Sequence, residues 1–142
     1  MTKIKLGKDE IFLDPELLKF DEHKLNLFLQ NFASNYKNFH EYHANAQYIH
    51  SMYEDKYEAL YSEKFKMYRE NVSSDKMADV NCKCDNDLKE ALEFVRISKR
   101  NVNLVWGYLR AMDRAHDDAI QFSYNLRKEL DKLFTGVKYT DI

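Results

Sequence analysis

The chain has 142 residues, enough for one domain of ordinary size, and it is polar for a globular protein, with 44% hydrophobic and 32% charged side chains. Three glycines and one proline supply few reversals, which argues against a sheet-rich fold. A formal net charge of −2, from 22 basic and 24 acidic residues, argues against tight nucleic-acid binding by a lone subunit and leaves binding by an assembly.

In chain order, Met1-Thr2-Lys3-Ile4-Lys5-Leu6 has no apolar run behind it, and no stretch approaches the roughly 20 apolar residues of a membrane span, so a cytoplasmic protein without membrane contact is expected. Ile11-Phe12-Leu13 is a short apolar run in an N-terminal extension (1–13), fit to pair as a strand or to tuck into the first helix. Asp14-Pro15 reads as an N-cap followed by proline at the first helical position. It opens a long helical region, 14–72, uninterrupted by glycine or proline after Pro15.

Within that region Leu25, Phe32, Phe39, Ala46, Tyr53, Leu60 and Met67 recur every seven residues. A spacing near 3.5 sustained this long predicts a coiled-coil-like helix. From Asp21 to Asn71 it would measure about 75 Å, too long to bury its seam against itself, so partner helices must run along it. Leu25, Phe32, Phe39, Tyr53, Leu60 and Met67 are therefore the candidates for a seam between subunits as well as for core. A break near Ser34-Asn35 or Asn45 is a secondary expectation.

Asn71-Val72-Ser73-Ser74-Asp75 is the main turn signal and opens a polar connection, 73–86, in which Met77 and Val80 are the isolated apolar contacts. Cys82 and Cys84 lie too close together for an ordinary disulfide framework and lack a Cys/His zinc box, so free thiols are expected. Asp85-Asn86-Asp87 can cap the C-terminal helical region, 87–136. There Leu88, Val95, Val102 and Leu109 form one row, and Ala91, Ser98, Val105, Met112, Ala119, Leu126 and Leu133 its companion. A kink or loop is expected at Arg114–Asp118, and Thr135-Gly136 as the C-terminal stop. The fold expected is a single all-α domain: a long first helix with shorter helices packed back along it, assembled into a closed ring-like oligomer.

No enzyme chemistry emerges. His40, His43 and His50 with Glu54 could join a metal site across subunits, but no Glu-x-x-His pattern accompanies them, and packing edges explain them better. Asp113 with His116-Asp117 has no nucleophile turn or phosphate loop beside it. No catalytic residue, metal or cofactor is expected. The basic residues are better organised than the net charge implies. Between Phe94 and Met112 lie Arg96, Lys99, Arg100 and Arg110 with no acid, close to Trp106 and Tyr108. Cations with aromatics suit single-stranded nucleic acid, whose phosphates they neutralise and whose bases stack. Lys64, Lys66 and Arg69 form a second group, diluted by Glu63 and Glu70.

The layout resembles the recombination mediators of T4-type bacteriophages, the UvsY family. The resemblance runs from Phe12-Leu13-Asp14 through the first helix to Leu60-Tyr61-Ser62-Glu63-Lys64-Phe65-Lys66-Met67-Tyr68. It resumes at Met77-Ala78-Asp79-Val80, Asp85 and Asp87, and continues through Trp106-Gly107-Tyr108-Leu109-Arg110-Ala111-Met112 and Arg114 to Phe134-Thr135-Gly136. It implies a helical homo-oligomer of six or seven subunits in the cytoplasm of an infected bacterium, acting in phage DNA recombination, repair and replication. Such a protein binds single-stranded DNA and helps load a recombinase onto DNA coated by single-strand-binding protein, without catalysis or cofactor. The DNA-contact candidates are Lys64, Lys66, Arg69, Arg96, Lys99 and Arg100. The family carries a basic pair near the end of its first helix where this chain has Ser62 and Lys64, with Lys66 and Arg69 near enough to substitute. Its Arg-Gly-aromatic before the last helix is here Arg114-Ala115-His116. The alternative class is a structural or adaptor coiled coil with protein partners only.

Overall fold

The computed structural model describes the backbone of residues 1–140 and the side chains of residues 1–135. The elements are strands β1 (Thr2–Leu6) and β2 (Asp9–Leu13), a 3₁₀ turn (Pro15–Leu18), and helices α1 (Leu25–Asn71), α2 (Asp75–Cys84) and α3 (Asn86–Thr140). None of the helices among the described residues is long and apolar enough to cross a membrane.

The fold is mostly helical, as expected, but not purely so. Lys3-Ile4-Lys5-Leu6 alternates in polarity and Ile11-Phe12-Leu13 alternates in burial, and the two strands pair antiparallel with Ile4 opposite Ile11 and Leu6 opposite Asp9. Gly7 joins them at φ +62, while Lys8 stays at negative φ. That is the first central position of a type II′ turn, where glycine is required and the twist matches the strands. The hairpin's inner face of Ile4, Leu6, Ile11 and Leu13 packs on Phe39, Ala46, Val105, Tyr108, Leu109 and Met112, across the middle of the helical pair.

α1 and α3 form one antiparallel hairpin. Tyr53 stacks on Phe94 at 5.3 Å between ring centroids, Phe39 lies 4.6 Å from Tyr108, Phe32 stacks 4.2 Å from His116, and Phe20 meets Phe122 at 5.8 Å. The partner rods that the first seam demanded are thus supplied within one chain. Phe39 is buried, and Phe32 and Tyr53 are half-buried, in this intramolecular contact, while Leu25 is also buried and Leu60 half-buried within the single chain. Met67 closes the sevenfold row yet is 44% exposed. A straight helix drifts about 20° per heptad, so a strict seven-residue row rotates out of the contact by its end. Leu109 is 1% exposed at the centre of the core.

The first long helix begins at Leu25, not at Pro15. Asp14 does cap the next residues, its Oδ1 accepting from the Glu16 N–H at 3.0 Å, but only for the 3₁₀ turn. The Tyr108 hydroxyl donates to the Asp14 carbonyl at 2.7 Å, and Phe20 turns onto Phe28 and Phe122, so tertiary contacts hold the chain off the helical path. A second start signal follows, with Asp21 Oδ1 accepting from the Lys24 N–H at 2.8 Å. No break occurs at Ser34-Asn35 or Asn45, and none at Arg114–Asp118, where α3 is continuous. α3 also runs past Gly136 to Thr140.

The polar connection is itself mostly helix. Ser74 caps α2 by accepting from the Met77 N–H at 3.3 Å. Ala78 and Cys82, four apart, are its buried side chains, whereas Met77 and Val80 point outward. Small residues let α2 lie close against the other helices, and the signal passes unseen when only large side chains are weighed. Cys82 is a packed core thiol, pushed up in pKa mainly by burial, and Cys84 is exposed.

A polar clasp ties α2 and the start of α3 to α1. Tyr68 donates to Asp85 Oδ2 at 2.6 Å, Lys64 lies 3.5 Å from that oxygen, and Asp85 Oδ1 caps α3 by accepting from the Leu88 N–H at 3.1 Å. Tyr61 donates to Asp79, which pushes its hydroxyl up to about 12. The Tyr68 hydrogen bond, the Leu88 N–H and Lys64 hold the Asp85 carboxyl below its ordinary 3.8, and Tyr61 and Lys83 do the same for Asp79. Folding therefore favours the two ionised carboxylates, and their contribution is complete above the ordinary value and lost as pH falls through the folded ones. Near-UV circular dichroism, which reads tyrosine packing, is expected to decline below about pH 4. A signal unchanged at a pH low enough to protonate both carboxyls would show that the clasp does not stabilise α2.

Candidate nucleic-acid interface

Of the six predicted DNA contacts, the structure spends two on its own fold. Lys64 bridges Asp85 and Asp87, the latter at 3.1 Å, and its side chain is only 20% exposed. Arg69 binds Asp75 through Nε at 2.7 Å and the Val72 carbonyl through a terminal nitrogen at 2.8 Å, fixing the turn between α1 and α2. Lys66 is exposed and has no acidic partner among the described residues. The first-helix group thus reduces largely to one uncommitted cation.

The second group is different. Arg96, Lys99 and Arg100 are all exposed on α3. Arg96 meets Glu93 at 4.0 Å with both side chains more than half exposed, a pairing of the kind that contributes little. Lys99 and Arg100 have no acidic partner among the described residues.

Continuity of α3 extends this group beyond what the sequence suggested. At 3.6 residues per turn, Arg96, Arg100, Asn103, Gly107, Arg110 and Arg114 fall on one stripe about 27 Å long, and all are exposed. No acid interrupts it from Phe94 to Met112. Asp113, next along, turns toward α1, where it raises the pKa of Tyr36 by accepting its hydroxyl proton in a hydrogen bond. Arg114 was obscured by the expectation of a kink at that point. Its 18-residue offset from Arg96, five whole turns, was the available signal.

One edge of the stripe carries an aromatic. Trp106 is 46% exposed and lies 5.1 Å from His43 of α1, centroid to centroid. Burial, with the neighbouring His40, holds His43 below its ordinary 6.5, which favours a neutral ring against the indole. The other edge borders a shallow groove of about 310 Å³, walled by Thr2, Leu13, Pro15 and Leu18 of the N-terminal segment and by Asn103, Leu104, Gly107 and Tyr108 of α3.

The groups considered for other chemistry are engaged in packing. His50 contacts Ser98 Oγ through Nδ1 at 3.0 Å and Glu54 through Nε2 at 2.8 Å, linking α1 to α3. His116 stacks on Phe32. Among the described residues no three His, Cys, Asp or Glu side chains gather as a metal site. No protein family matches this chain, and neither a curated protein nor a solved structure is similar to it.

Proposed function

We propose that this chain is a non-enzymatic recombination mediator that holds single-stranded DNA along α3 and hands it to a recombinase on DNA coated by single-strand-binding protein. The observation that carries the reading is the exposed arginine-bearing stripe, free of acids from Phe94 to Met112, with an exposed tryptophan at its edge. Such a surface neutralises a backbone without reading sequence, and aromatic stacking tolerates any base. The recombinase, the coat protein and the cytoplasm of an infected bacterium as the setting rest on the resemblance to the phage mediators.

Self-assembly is part of the proposal, because one stripe on a chain of net charge −2 is a modest anchor that repetition would multiply. The surface that supports it is the far end of α3. At 55 residues α3 outruns the 47-residue α1, and all of residues 127–135 are exposed. Leu130, Leu133 and Phe134 lie on one face there, with Leu133 at 66% exposure, an apolar stripe at helical spacing left uncovered among the described residues. A closed ring of six or seven copies would cover it.

Light scattering on the intact protein, alone and with a labelled oligothymidylate, tests this reading. A mass of several chains that rises on adding DNA is expected, and changing Leu130 and Leu133 together to glutamate should lower the mass while helicity persists. A multimer that ignores DNA at low salt would favour the protein-only adaptor, for which the same exposed apolar stripe is the supporting feature.

A further inference from the structure

Gly107 sits in the middle of a long helix without an internal reason to be glycine. Its φ is not in the left-handed region, and a Cβ added there would meet nothing within 4 Å. Glycine at an interior helical position costs about 1 kcal/mol relative to alanine. Elsewhere in the chain the residue is spared for the hairpin turn at Gly7 and for Gly136. The bare backbone at Gly107 also forms part of the groove against the N-terminal segment, midway along the arginine stripe.

Three further features of this groove bear on what it holds. Its far wall is apolar, from Leu13, Pro15 and Leu18, with Leu104 on the near side. Asn103 stands at its edge, exposed and without a hydrogen-bond partner among the described residues, and an amide offers both donors and an acceptor. Arg100 and Arg110 flank it, about 15 Å apart along the helix axis, room for a short run of nucleotides between anchored phosphates. The wall itself is fixed, since Tyr108 holds the Asp14 carbonyl and Asn101 reaches the Lys5 carbonyl at 3.5 Å.

We propose that this groove receives a base of the bound single strand, with the strand's backbone passing over Gly107. The flat apolar wall covers the face of the base, the Asn103 amide meets its polar edge, and the missing side chain at Gly107 admits the sugar. Charge complementarity selects this occupant over an apolar peptide, because the exposed Arg100 and Arg110 stand on either side of the groove residues along α3. The site is separate from Trp106, which stands on the opposite edge of the stripe. The inference rests on the single-stranded DNA reading above and adds a base-accepting site to it.

The test compares an oligothymidylate with an abasic strand of equal length, by fluorescence anisotropy on the intact protein and on Gly107→Leu and Gly107→Ala chains. Both substitutions raise helix propensity at an exposed position, so the fold should persist, and far-UV circular dichroism checks that it does. Leucine should weaken the thymidylate roughly 5- to 10-fold, toward the low end of what one stacked base contributes, and alanine less. The abasic strand should change less than about 2-fold, because the phosphate contacts are untouched. Equal weakening of both strands, or of neither, would overturn the groove proposal while leaving the mediator reading in place. Absence of binding by either strand to the unaltered protein would defeat both.

Discussion

A Phe39→Asp chain is expected to lose its helical structure at 25 °C rather than merely change its state of assembly. Phe39 is buried, packs on Tyr108 of α3 and on Tyr42, and belongs to the cluster that holds the N-terminal hairpin. Truncating a core phenylalanine costs about 3–5 kcal/mol, and a carboxylate buried there without a partner adds several more. A domain of this size is stable by only about 5–15 kcal/mol, so the change consumes most of that margin. Met67→Asp lies on the same sevenfold row but at an exposed position, and should shift stability by less than about 0.5 kcal/mol. Urea denaturation followed by far-UV circular dichroism compares the two. A Phe39→Asp protein that stays helical and falls only in mass would show that the seam is closed between subunits and not within the chain.

The largest expected effect on binding comes from the stripe. Changing Arg96, Arg100, Arg110 and Arg114 together to alanine removes four exposed cations that make no core contact, so helicity should be retained. If each neutralises one phosphate of a single strand, their loss should lower affinity by at least about 100-fold at 0.1 M salt. The paired change of Lys64 and Arg69 to alanine should cost less than about 3-fold, since the clasp with Asp85, Asp87 and Asp75 already occupies both side chains. That second variant should instead lose thermal stability at the α1–α2 corner. A reversal of this order, with Lys64 and Arg69 dominating, would place DNA at the other end of the molecule.

The legible parts of the fold were those carried by large apolar side chains at regular spacing. Phe39, Val105, Leu109 and Met112 declare themselves through periodicity, and the Asp85 cap through its position before Leu88. The helix α2 was hidden because its buried contacts are Ala78 and Cys82, too small to stand out in a polar stretch. The early part of the first helical region departs from its local signal for a different reason. Asp14-Pro15 is a sound local start signal, and only the distant hydroxyl of Tyr108 and ring of Phe122 turn the chain away from it.

The candidate site divides along similar lines. Composition alone separates the acid-free run around Arg96, Lys99 and Arg100 from the diluted group around Lys64. It cannot separate a cation free to meet a phosphate from one already held by a carboxylate 23 residues away, as Lys64 is by Asp87. Nor does spacing reveal Arg114 as part of the stripe unless the helix is known to continue through Ala115 and His116. Leu133, at the far end of α3, looks like seam in the sequence and is surface because α3 runs on past the level at which α1 begins.

The most direct measurement is the affinity of the intact protein for a labelled oligothymidylate across a series of salt concentrations. Four phosphate contacts per chain predict a log–log slope of about −3 for each bound subunit, independent of base sequence. A flat dependence, or no binding by the assembled protein at low salt, would contradict the assignment of α3 as a single-strand-binding surface.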